Sequence, residues 1–288
     1  MRQITRPRGK APAPHADIYR DLTDIERVFS QVINTVPANG LVLANGDDPV
    51  VARLLPRSPA QVQTYGTGSD NHWRAIGIET DGLSQTFTVV EQDAERLRLR
   101  LPLSGSYNVH NALGAAGATL SAGLSAAEVT AGLESFRGVR RRQEILGCVG
   151  GITIIDDFAH HPTAIGLAVG ALRQRYPGSR LWVIFEPRSN TTRRNIFQSE
   201  LADALATADR SVVPAIADLE KFPEGERLDP EKLIRDVNER GGNACYLETV
   251  DEIANHVAAQ AEEGDVVAVL SNGGFGGLHG KLLEKLGE

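Results

Sequence analysis

Short apolar runs alternate with longer helical patterns through the second half of the chain, and this alternation constrains the fold most strongly. The apolar runs cover residues 151–157, 180–187, 211–216, 243–248 and 265–272. Helical patterns cover residues 163–176, 195–208, 230–240, 250–262 and 278–287. Strands separated by long helices require right-handed crossovers, which build a parallel sheet. The sequence therefore predicts an α/β domain whose five parallel strands are covered by helices.

Polar or glycine-rich stretches follow three of these runs. The first run ends in Asp156 and Asp157, and His160 and His161 come soon after. The second run leads into EPRSNTTRR, and the last leads into SNGGFGG. Because ligands bind outside the carboxyl ends of parallel strands, these stretches predict one site at that edge of the sheet. Two alternatives stay open at this point: the aspartates only cap the next helix, and the arginines only face solvent.

The first half has a mixed pattern. Its predicted elements are, in order, a helix at 17–35, a strand at 40–45, a short helix at 48–55, a strand at 61–66 and helices at 107–123 and 126–136. Between the second strand and the long helix, the alternating runs WRAIGIE, SQTFTVV and RLRLRLPL predict an antiparallel meander. The segment 136–147, FRGVRRRQEILG, is predicted to be the hinge between the halves.

Length, charge and cysteine content narrow the class of protein. A chain of 288 residues is long enough for two domains with their own cores. Its net charge of -7 argues against a nucleic-acid binder, because phosphate contacts need a basic surface. Cys148 and Cys245 have no CxxC spacing, which favours a reducing cytoplasm. No apolar run approaches the roughly 18 residues of a membrane-spanning helix, so no membrane partner is predicted.

Some side chains suggest chemistry without deciding it. Asn108 and Asn111 share one face of a helix start, where amides can bind the edge of a base, but Asn108 could equally cap that helix. The arginines at 140–142 could neutralise phosphate or form an exposed linker. His160 and His161 beside two aspartates allow a metal-dependent hydrolase as an alternative. We disfavour it, because metal sites usually take ligands from several strand ends and no other histidine cluster occurs.

Several strings together resemble one enzyme family. IIDDFAHHPTAI, FEPRSNTTRR and VLSNGGFGGLHGKLL are similar to the carboxy-terminal domain of the Mur ligases. HADIYRDL, LANGDDP, YNVHNALGAAG and GVRRRQEILG are similar to the central domain and hinge of that family. The resemblance implies an α/β fold in which a truncated central domain precedes a Rossmann-like carboxy-terminal domain with a mainly parallel sheet. We predict a disordered leader outside the family at 1–14, a partial central, ATP-binding domain at 15–144 and a carboxy-terminal domain at 145–288.

The resemblance also implies an activity. Mur ligases join an amine to a carboxylate through an acyl phosphate, with ATP and Mg²⁺. The strings EPRSN and SNGGFGG are most similar to members that join UDP-N-acetylmuramate to the recycled cell-wall tripeptide L-Ala-γ-D-Glu-meso-diaminopimelate. A ligase that adds L-alanine to UDP-N-acetylmuramate is the alternative within the family.

Carried over by position, the resemblance assigns nucleotide contacts. Asn108 and Asn111 would hold the adenine, and Arg141 or Arg142 would face the nucleotide. Asp157 would contact the ribose. The predicted catalytic residue, His160, would lie at the phosphate region.

The same resemblance assigns peptide and metal contacts. The residues predicted to bind the peptide are His161, Arg188, Ser189, Asn190, Ser271, Asn272, Gly273 and Gly274. A guanidinium group such as that of Arg188 suits two-point pairing with a carboxylate, although an exposed arginine paired with Glu186 is the alternative. His15 would help to hold Mg²⁺.

The chain departs from the family where phosphate is bound. GK occurs only at Gly9–Lys10 and Gly280–Lys281, and neither has the GxxxxGK[ST] spacing of a phosphate-binding loop. Tyr107 stands where the family more often has histidine. We therefore expect no ligase activity from this chain alone. Three explanations stay open for the missing amino-terminal part: a truncated gene, a start site placed too late, or a split enzyme whose partner is a separate amino-terminal ligase fragment. A non-catalytic remnant that binds peptide or nucleotide is the alternative.

Overall fold

Residues 22–287 are described by a computed structural model, in which the strands divide between two sheets. The first part contains α1 (Leu22–Asn34), β1 (Leu41–Asn45), α2 (Pro49–Leu54), β2 (Gln61–Gly66), β3 (Trp73–Thr80), β4 (Gln85–Glu91), β5 (Ala94–Leu101), α3 (Ser106–Ser121) and α4 (Ala126–Glu134). The second part contains β6 (Glu144–Val149), β7 (Ile152–Asp157), α5 (Pro162–Arg175), β8 (Leu181–Phe185), α6 (Gln198–Leu205), β9 (Arg210–Pro214), α7 (Pro230–Glu239), β10 (Ala244–Leu247), α8 (Val250–Gln260), β11 (Val266–Leu270) and α9 (Leu278–Lys285). The leader predicted at 1–14 lies outside the described residues.

The first sheet has the order β1-β2-β3-β4-β5. The pairs β1–β2 and β2–β3 are parallel, whereas β3, β4 and β5 form the predicted antiparallel meander. Helix α3 covers one face of this sheet, where Leu113 packs with Trp73 and Phe87 in a single apolar cluster. Along β5 buried residues alternate with exposed ones from Leu97 onward, which is typical of a sheet that has one face in solvent.

The second sheet has the order β10-β9-β8-β11-β7-β6. Its first five strands are parallel, as predicted, and helices pack on both faces. Strand β6 was not predicted, because its residues lie partly in the segment interpreted as the hinge. It pairs antiparallel with β7, and Gly150 and Gly151 form the two-residue turn between them. Both glycines have positive φ, at 57° and 75°, as this kind of hairpin turn requires.

Local sequence signals set the helix ends near the site. Pro162 occupies the first turn of α5, where its missing N–H leaves no bond unmade, and His161 is the residue that caps this helix. At the opposite edge of the sheet, Gly178 and Gly264 have φ of 82° and 94° in the turns that lead into β8 and β11. No helix within residues 22–287 combines the length and the apolar character needed to cross a membrane.

Candidate functional site

Three strand ends with polar side chains lie next to one another in the second sheet. Strand β11 pairs with β8 on one side and with β7 on the other, so Leu270 lies opposite both Phe185 and Asp157. The chains that leave these three parallel strands therefore emerge at one edge. The structure thus brings together the stretches that begin at Asp157, Glu186 and Ser271.

The loop after β11, residues 271–274, contacts the end of β8. The Ser271 hydroxyl donates to the Glu186 carboxylate and accepts the Gly273 N–H at 2.9 Å. Arg188 is 49% exposed, and its Nη1 lies 3.7 Å from Glu186 Oε1, so the ion pair expected for a surface arginine is present but loose. A Cβ atom at Gly273 would lie 2.4 Å from Arg188 Nε, so any other residue there would displace the Arg188 side chain.

The two aspartates at the end of β7 are buried and differ in their partners. Asp157 is 3% exposed; its Oδ1 accepts the Ala159 N–H at 2.7 Å and its Oδ2 accepts the Gln143 N–H at 2.9 Å. Burial raises the pKa of Asp157, and these two N–H groups offset only part of that rise. Asp156 is paired instead with Arg141 at 3.2 Å. The alternative that an aspartate caps α5 is wrong, because the Nδ1 atom of His161 accepts the Thr163 N–H at 3.3 Å.

The remaining predicted residues of this edge have local contacts of their own. His160 Nδ1 lies 2.9 Å from the Phe158 carbonyl oxygen; since a carbonyl only accepts, Nδ1 carries the hydrogen. The His161 ring packs edge-on against Phe197, with centroids 4.6 Å apart. Ser189 accepts the Thr192 N–H at 3.1 Å within a turn, and Asn190 beside it is exposed.

A cleft of about 590 Å³ lies between α3, the end of α4 and the segment that leads to the second sheet. Its walls are mostly apolar, with amides and one guanidinium among them: Leu101, Leu103, Tyr107, Asn108, Asn111, Ala112, Ala115, Gly132, Leu133, Phe136, Gly138, Val139 and Arg142. Phe136 and Val139 are 42% and 59% exposed there, unusually high for such side chains. Asn108 donates to the Ser104 carbonyl at 2.7 Å, and Gly105 precedes α3, so the capping alternative for Asn108 is wrong.

Tyr107 connects the cleft to the aspartates. Its hydroxyl oxygen accepts a hydrogen bond from Gln143 Nε2 at 2.7 Å, while the Gln143 N–H donates to Asp157. Burial, with a smaller contribution from the Asp157 charge, raises the pKa of Tyr107 to about 12, so the phenol stays neutral. Sequence reasoning noted Tyr107 only as a departure from the family. It missed Gln143, Phe136 and Val139. The available signal was that Phe136 and Val139, two large apolar residues, lie on either side of a glycine beyond a helix end, which is typical of an exposed apolar surface.

The three consecutive arginines of the linking segment point to different places. Arg140 has a side chain that is 93% exposed, and Arg142 lines the cleft. Arg141 instead bonds the loop after β11 and the carboxylate of Asp156. Arg141 and Gln143 both have left-handed backbones, with φ of 60° and 51°, which is uncommon for residues other than glycine. Only one of the two arginines predicted to face the nucleotide therefore lies in the cleft.

Metal ligands do not gather among the described residues. Within residues 22–287 no group of three or more His, Cys, Asp or Glu side chains has an arrangement that could hold a metal ion. His15, the residue predicted to help bind Mg²⁺, lies outside that range.

Comparison with known proteins identifies the family. A model of the Mur ligase middle domain matches residues 12–119, and a model of the Mur ligase glutamate ligase domain matches residues 141–273. The chain belongs to the Mur ligase family, of which it carries these two domains. The predicted fold class, a Mur-ligase central domain followed by a Rossmann-like domain with a mainly parallel sheet, is confirmed.

Particular relatives include two kinds of ligase. The UDP-N-acetylmuramate--L-alanyl-gamma-D-glutamyl-meso-2,6-diaminoheptandioate ligase of Haemophilus influenzae is 34% identical over 277 residues, covering 94% of this chain and 57% of the relative. The UDP-N-acetylmuramate--L-alanine ligase of Methylococcus capsulatus is 32% identical, covering 95% and 59%. A crystal structure of a murein peptide ligase from Psychrobacter arcticus 273-4 matches with a TM-score of 0.67 and 31% identity, covering 94% and 56%. This chain thus spans less than two thirds of each relative.

Proposed function

We propose that this chain is the nucleotide- and peptide-binding part of an ATP-dependent amide ligase of cell-wall recycling. The proposed reaction joins UDP-N-acetylmuramate to L-Ala-γ-D-Glu-meso-diaminopimelate. The observation that carries the proposal is that one chain combines an apolar cleft edged with amides and a separate polar sheet edge. Similarity to the Haemophilus influenzae and Psychrobacter arcticus ligases supports this pair of substrates. The proposed compartment is the cytoplasm, which the free thiols of Cys148 and Cys245 support.

The cleft is the proposed site of the adenine base. Its volume of about 590 Å³ falls within the usual range of small-molecule sites. Phe136 and Val139 offer apolar surface to a planar ring, and covering them would remove an exposed patch from water. Asn108 and Asn111 supply amides that can donate to and accept from a purine edge. Arg142 adds the positive charge that a phosphate chain requires.

The polar edge of the second sheet is the proposed peptide site. Arg188 is partly exposed and loosely paired, so its guanidinium can exchange Glu186 for a carboxylate of the tripeptide. The loop 271–274 lies against it. The predicted neighbours His161, Ser189 and Asn190 stay part of this proposal.

Transfer of the phosphoryl group is the step for which His160 is proposed. Because Nδ1 donates to the Phe158 carbonyl, Nε2 is the ring atom left for the phosphate region. When bound, Mg²⁺ would neutralise charge on the phosphoryl group. The described residues do not gather a ligand set for that ion, so no step of this proposal passes through it. Asp157 is proposed to contact the ribose. Because Asp157 is only 3% exposed, that contact requires local opening.

Catalysis is proposed to need a phosphate-binding loop in addition to the residues of this sequence. The sequence contains no GxxxxGK[ST] loop, whose amides and lysine stabilise the transferring phosphoryl group. We therefore expect no tripeptide-dependent phosphate release from this chain with UDP-N-acetylmuramate and ATP, and restored release when an amino-terminal Mur-ligase fragment is added. Turnover by the chain alone would contradict the expectation that it releases no phosphate without an added fragment. Binding without turnover in either mixture would favour the non-catalytic remnant.

Calorimetric titration tests the proposed ligands directly. We expect ADP and the tripeptide to bind independently. Arg188→Lys should lower only the affinity for the tripeptide, by about ten- to a hundredfold, because lysine keeps the charge but loses the paired N–H donors of the guanidinium group. Arg235→Lys is the matched control: Arg235 is 60% exposed and lies 3.9 Å from Glu231, yet it sits on α7. Unchanged tripeptide affinity in Arg188→Lys would return Arg188 to the role of a surface residue. Binding of L-alanine in place of the tripeptide would favour the L-alanine ligase.

A further inference from the structure

Arg141 makes an unusual set of contacts for a residue in a linking segment. Its Nη2 atom donates to two carbonyl oxygens of the loop after β11, that of Ser271 at 2.7 Å and that of Gly273 at 2.6 Å. Its Nε atom donates to Asp156 Oδ2 at 3.2 Å. One guanidinium group thus bonds a strand end and both ends of a three-residue stretch of loop.

The acceptors around Arg141 need both its charge and its shape. Asp156 is 7% exposed, and removing the cation paired with a buried carboxylate leaves an uncompensated charge. His279 Nε2 lies 3.2 Å from the other oxygen of Asp156, but without the geometry of a hydrogen bond. A guanidinium plane can reach the carboxylate and both carbonyls at once, whereas an ammonium on a flexible stem cannot keep all three. Lysine at position 141 would therefore retain the charge and lose the bridge.

These bonds fix the conformation of the loop after β11. With the carbonyls of Ser271 and Gly273 turned toward Arg141, the Ser271 hydroxyl bonds Glu186 and the Gly273 N–H. The same geometry brings Gly273 against the side chain of Arg188. The backbone at Arg141 is fixed independently, because its carbonyl accepts the Phe158 N–H at 2.8 Å and its N–H donates to Glu144 at 2.8 Å.

We propose that Arg141 is a positioning residue that sets the conformation of the loop 271–274 for peptide binding, while its neighbour Arg142 serves the nucleotide cleft. The part concerning peptide rests on the proposed function. The part concerning the loop rests only on the contacts of Arg141. Two adjacent residues therefore act on two different ligands, because Arg141 bonds the loop after β11 and Arg142 lines the cleft.

Hydrogen exchange on the ligand-free chain tests the loop directly. In Arg141→Lys we expect the amides of residues 271–277 to exchange about tenfold faster, because two bonds that hold the loop are lost. Arg180→Lys is the matched control: Arg180 is also bonded to a buried aspartate, Asp265, and to one carbonyl, that of Gln260, but not to the loop. Its loop exchange should stay at the parent rate, whatever its effect on thermal stability. Unchanged loop exchange in Arg141→Lys, or equal acceleration in Arg180→Lys, would overturn the proposal.

Titration with ADP and with the tripeptide then separates the two arginines. Arg141→Lys should lower the affinity for the tripeptide about tenfold and leave the affinity for ADP unchanged. Arg142→Lys should lower the affinity for ADP about tenfold and leave the affinity for the tripeptide unchanged. Loss of ADP affinity in Arg141→Lys without loss of tripeptide affinity would overturn the assignment. If the parent chain bound no tripeptide, the proposed function would fail, and hydrogen exchange would still decide whether Arg141 holds the loop.

Discussion

The two sheets of this chain bury their strands to different degrees. In the second sheet every residue of β8 and β11 is buried, and their side chains alternate between two apolar clusters on opposite faces. In the first sheet one face is covered, and residues such as Ile76 and Ile78 on β3 remain 44% and 41% exposed. Strands covered on both faces offer a ligand only their ends, so polar chemistry collects at one edge. A sheet with one open face instead has its cleft outside the sheet, beside the helices that cover it.

This difference leads to an expectation about stability. The doubly covered sheet excludes more apolar surface from water per strand, and burial is the main favourable contribution to folding. We therefore expect the second domain to be the more stable unit and the first to open at lower denaturant.

The largest expected effect is the fate of the isolated parts. A fragment of residues 141–287 should fold cooperatively, because it keeps β6 and the bonds of Arg141 to Phe158 and Gly273. A fragment of residues 1–140 should be marginal. Circular dichroism with urea titration measures both. A fragment of residues 151–287, which lacks β6, is the control and should lose stability because β7 becomes an open edge. An unfolded 141–287 fragment would contradict the expectation that the second domain is the more stable unit.

Matched core truncations should give a smaller, separable effect. Phe185→Ala in β8 should cost about 3–5 kcal/mol, since helices and strands enclose the cavity on every side. Phe87 in β4 is equally buried, but Phe87→Ala should lower the free energy of unfolding by only about 3 kcal/mol. In a sheet with one open face, the neighbouring residues can collapse further into the cavity. Urea unfolding should show two transitions, with Phe185→Ala lowering one and Phe87→Ala the other. A single transition shifted by both variants would mean that the two domains unfold as one.

The smallest effect concerns pH and Asp47, which lies after β1. Burial raises the pKa of Asp47, but hydrogen bonds from the Thr67 N–H, His110, the Gly68 N–H and Asn71 outweigh it, so the pKa lies well below the ordinary 3.8. A carboxyl group with a lowered folded-state pKa stabilises the fold fully above its unfolded pKa and loses that contribution as the pH falls below it. The urea concentration at the midpoint of first-domain unfolding should therefore decline as the pH is lowered from about 5 to about 2.

Substitution isolates this contribution. Asp47→Asn should cost about 1–3 kcal/mol near neutral pH and flatten the acid decline of the first transition. Asp48→Asn is the control, because Asp48 only caps α2, and asparagine caps a helix about as well. An acid decline in Asp47→Asn as steep as in the parent chain would assign the pH dependence to another group.

Much of the fold could be predicted from the sequence because its signals are local. Alternation of apolar runs and helices required a parallel sheet, and the meander of the first half followed from strict alternation. Strand β6 was missed for a physical reason: as a half-exposed edge strand it lacks a continuous apolar run, and Ile145 is 46% exposed. Gly150–Gly151 was the available signal, since two glycines between apolar residues favour a tight hairpin.

The candidate site could be predicted only in part. The meeting of three strand ends follows from topology, and so it was accessible from the sequence. The separate contacts of Arg141 and Arg142 could not be predicted, because they lie in an irregular segment where Arg141 has a positive φ, which is uncommon for a residue other than glycine. The capping alternative for Asn108 failed because α3 begins at Ser106, so Asn108 lies within its first turn and Gly105 precedes the helix. Helix ends are the least certain part of any pattern, and a cap depends on the end alone.

The bonds of Arg141 and Gln143 to the end of β7 also define where one domain could turn against the other. From Arg141 onward the chain is fastened to the second sheet, and α4 of the first domain ends at Glu134. Any pivot would therefore fall in residues 135–140. Phe136, Gly138 and Val139 belong to that stretch and also line the cleft. A molecule that fills the cleft would contact the pivot itself, so occupancy of the cleft and orientation of the domains would form one linked equilibrium rather than two.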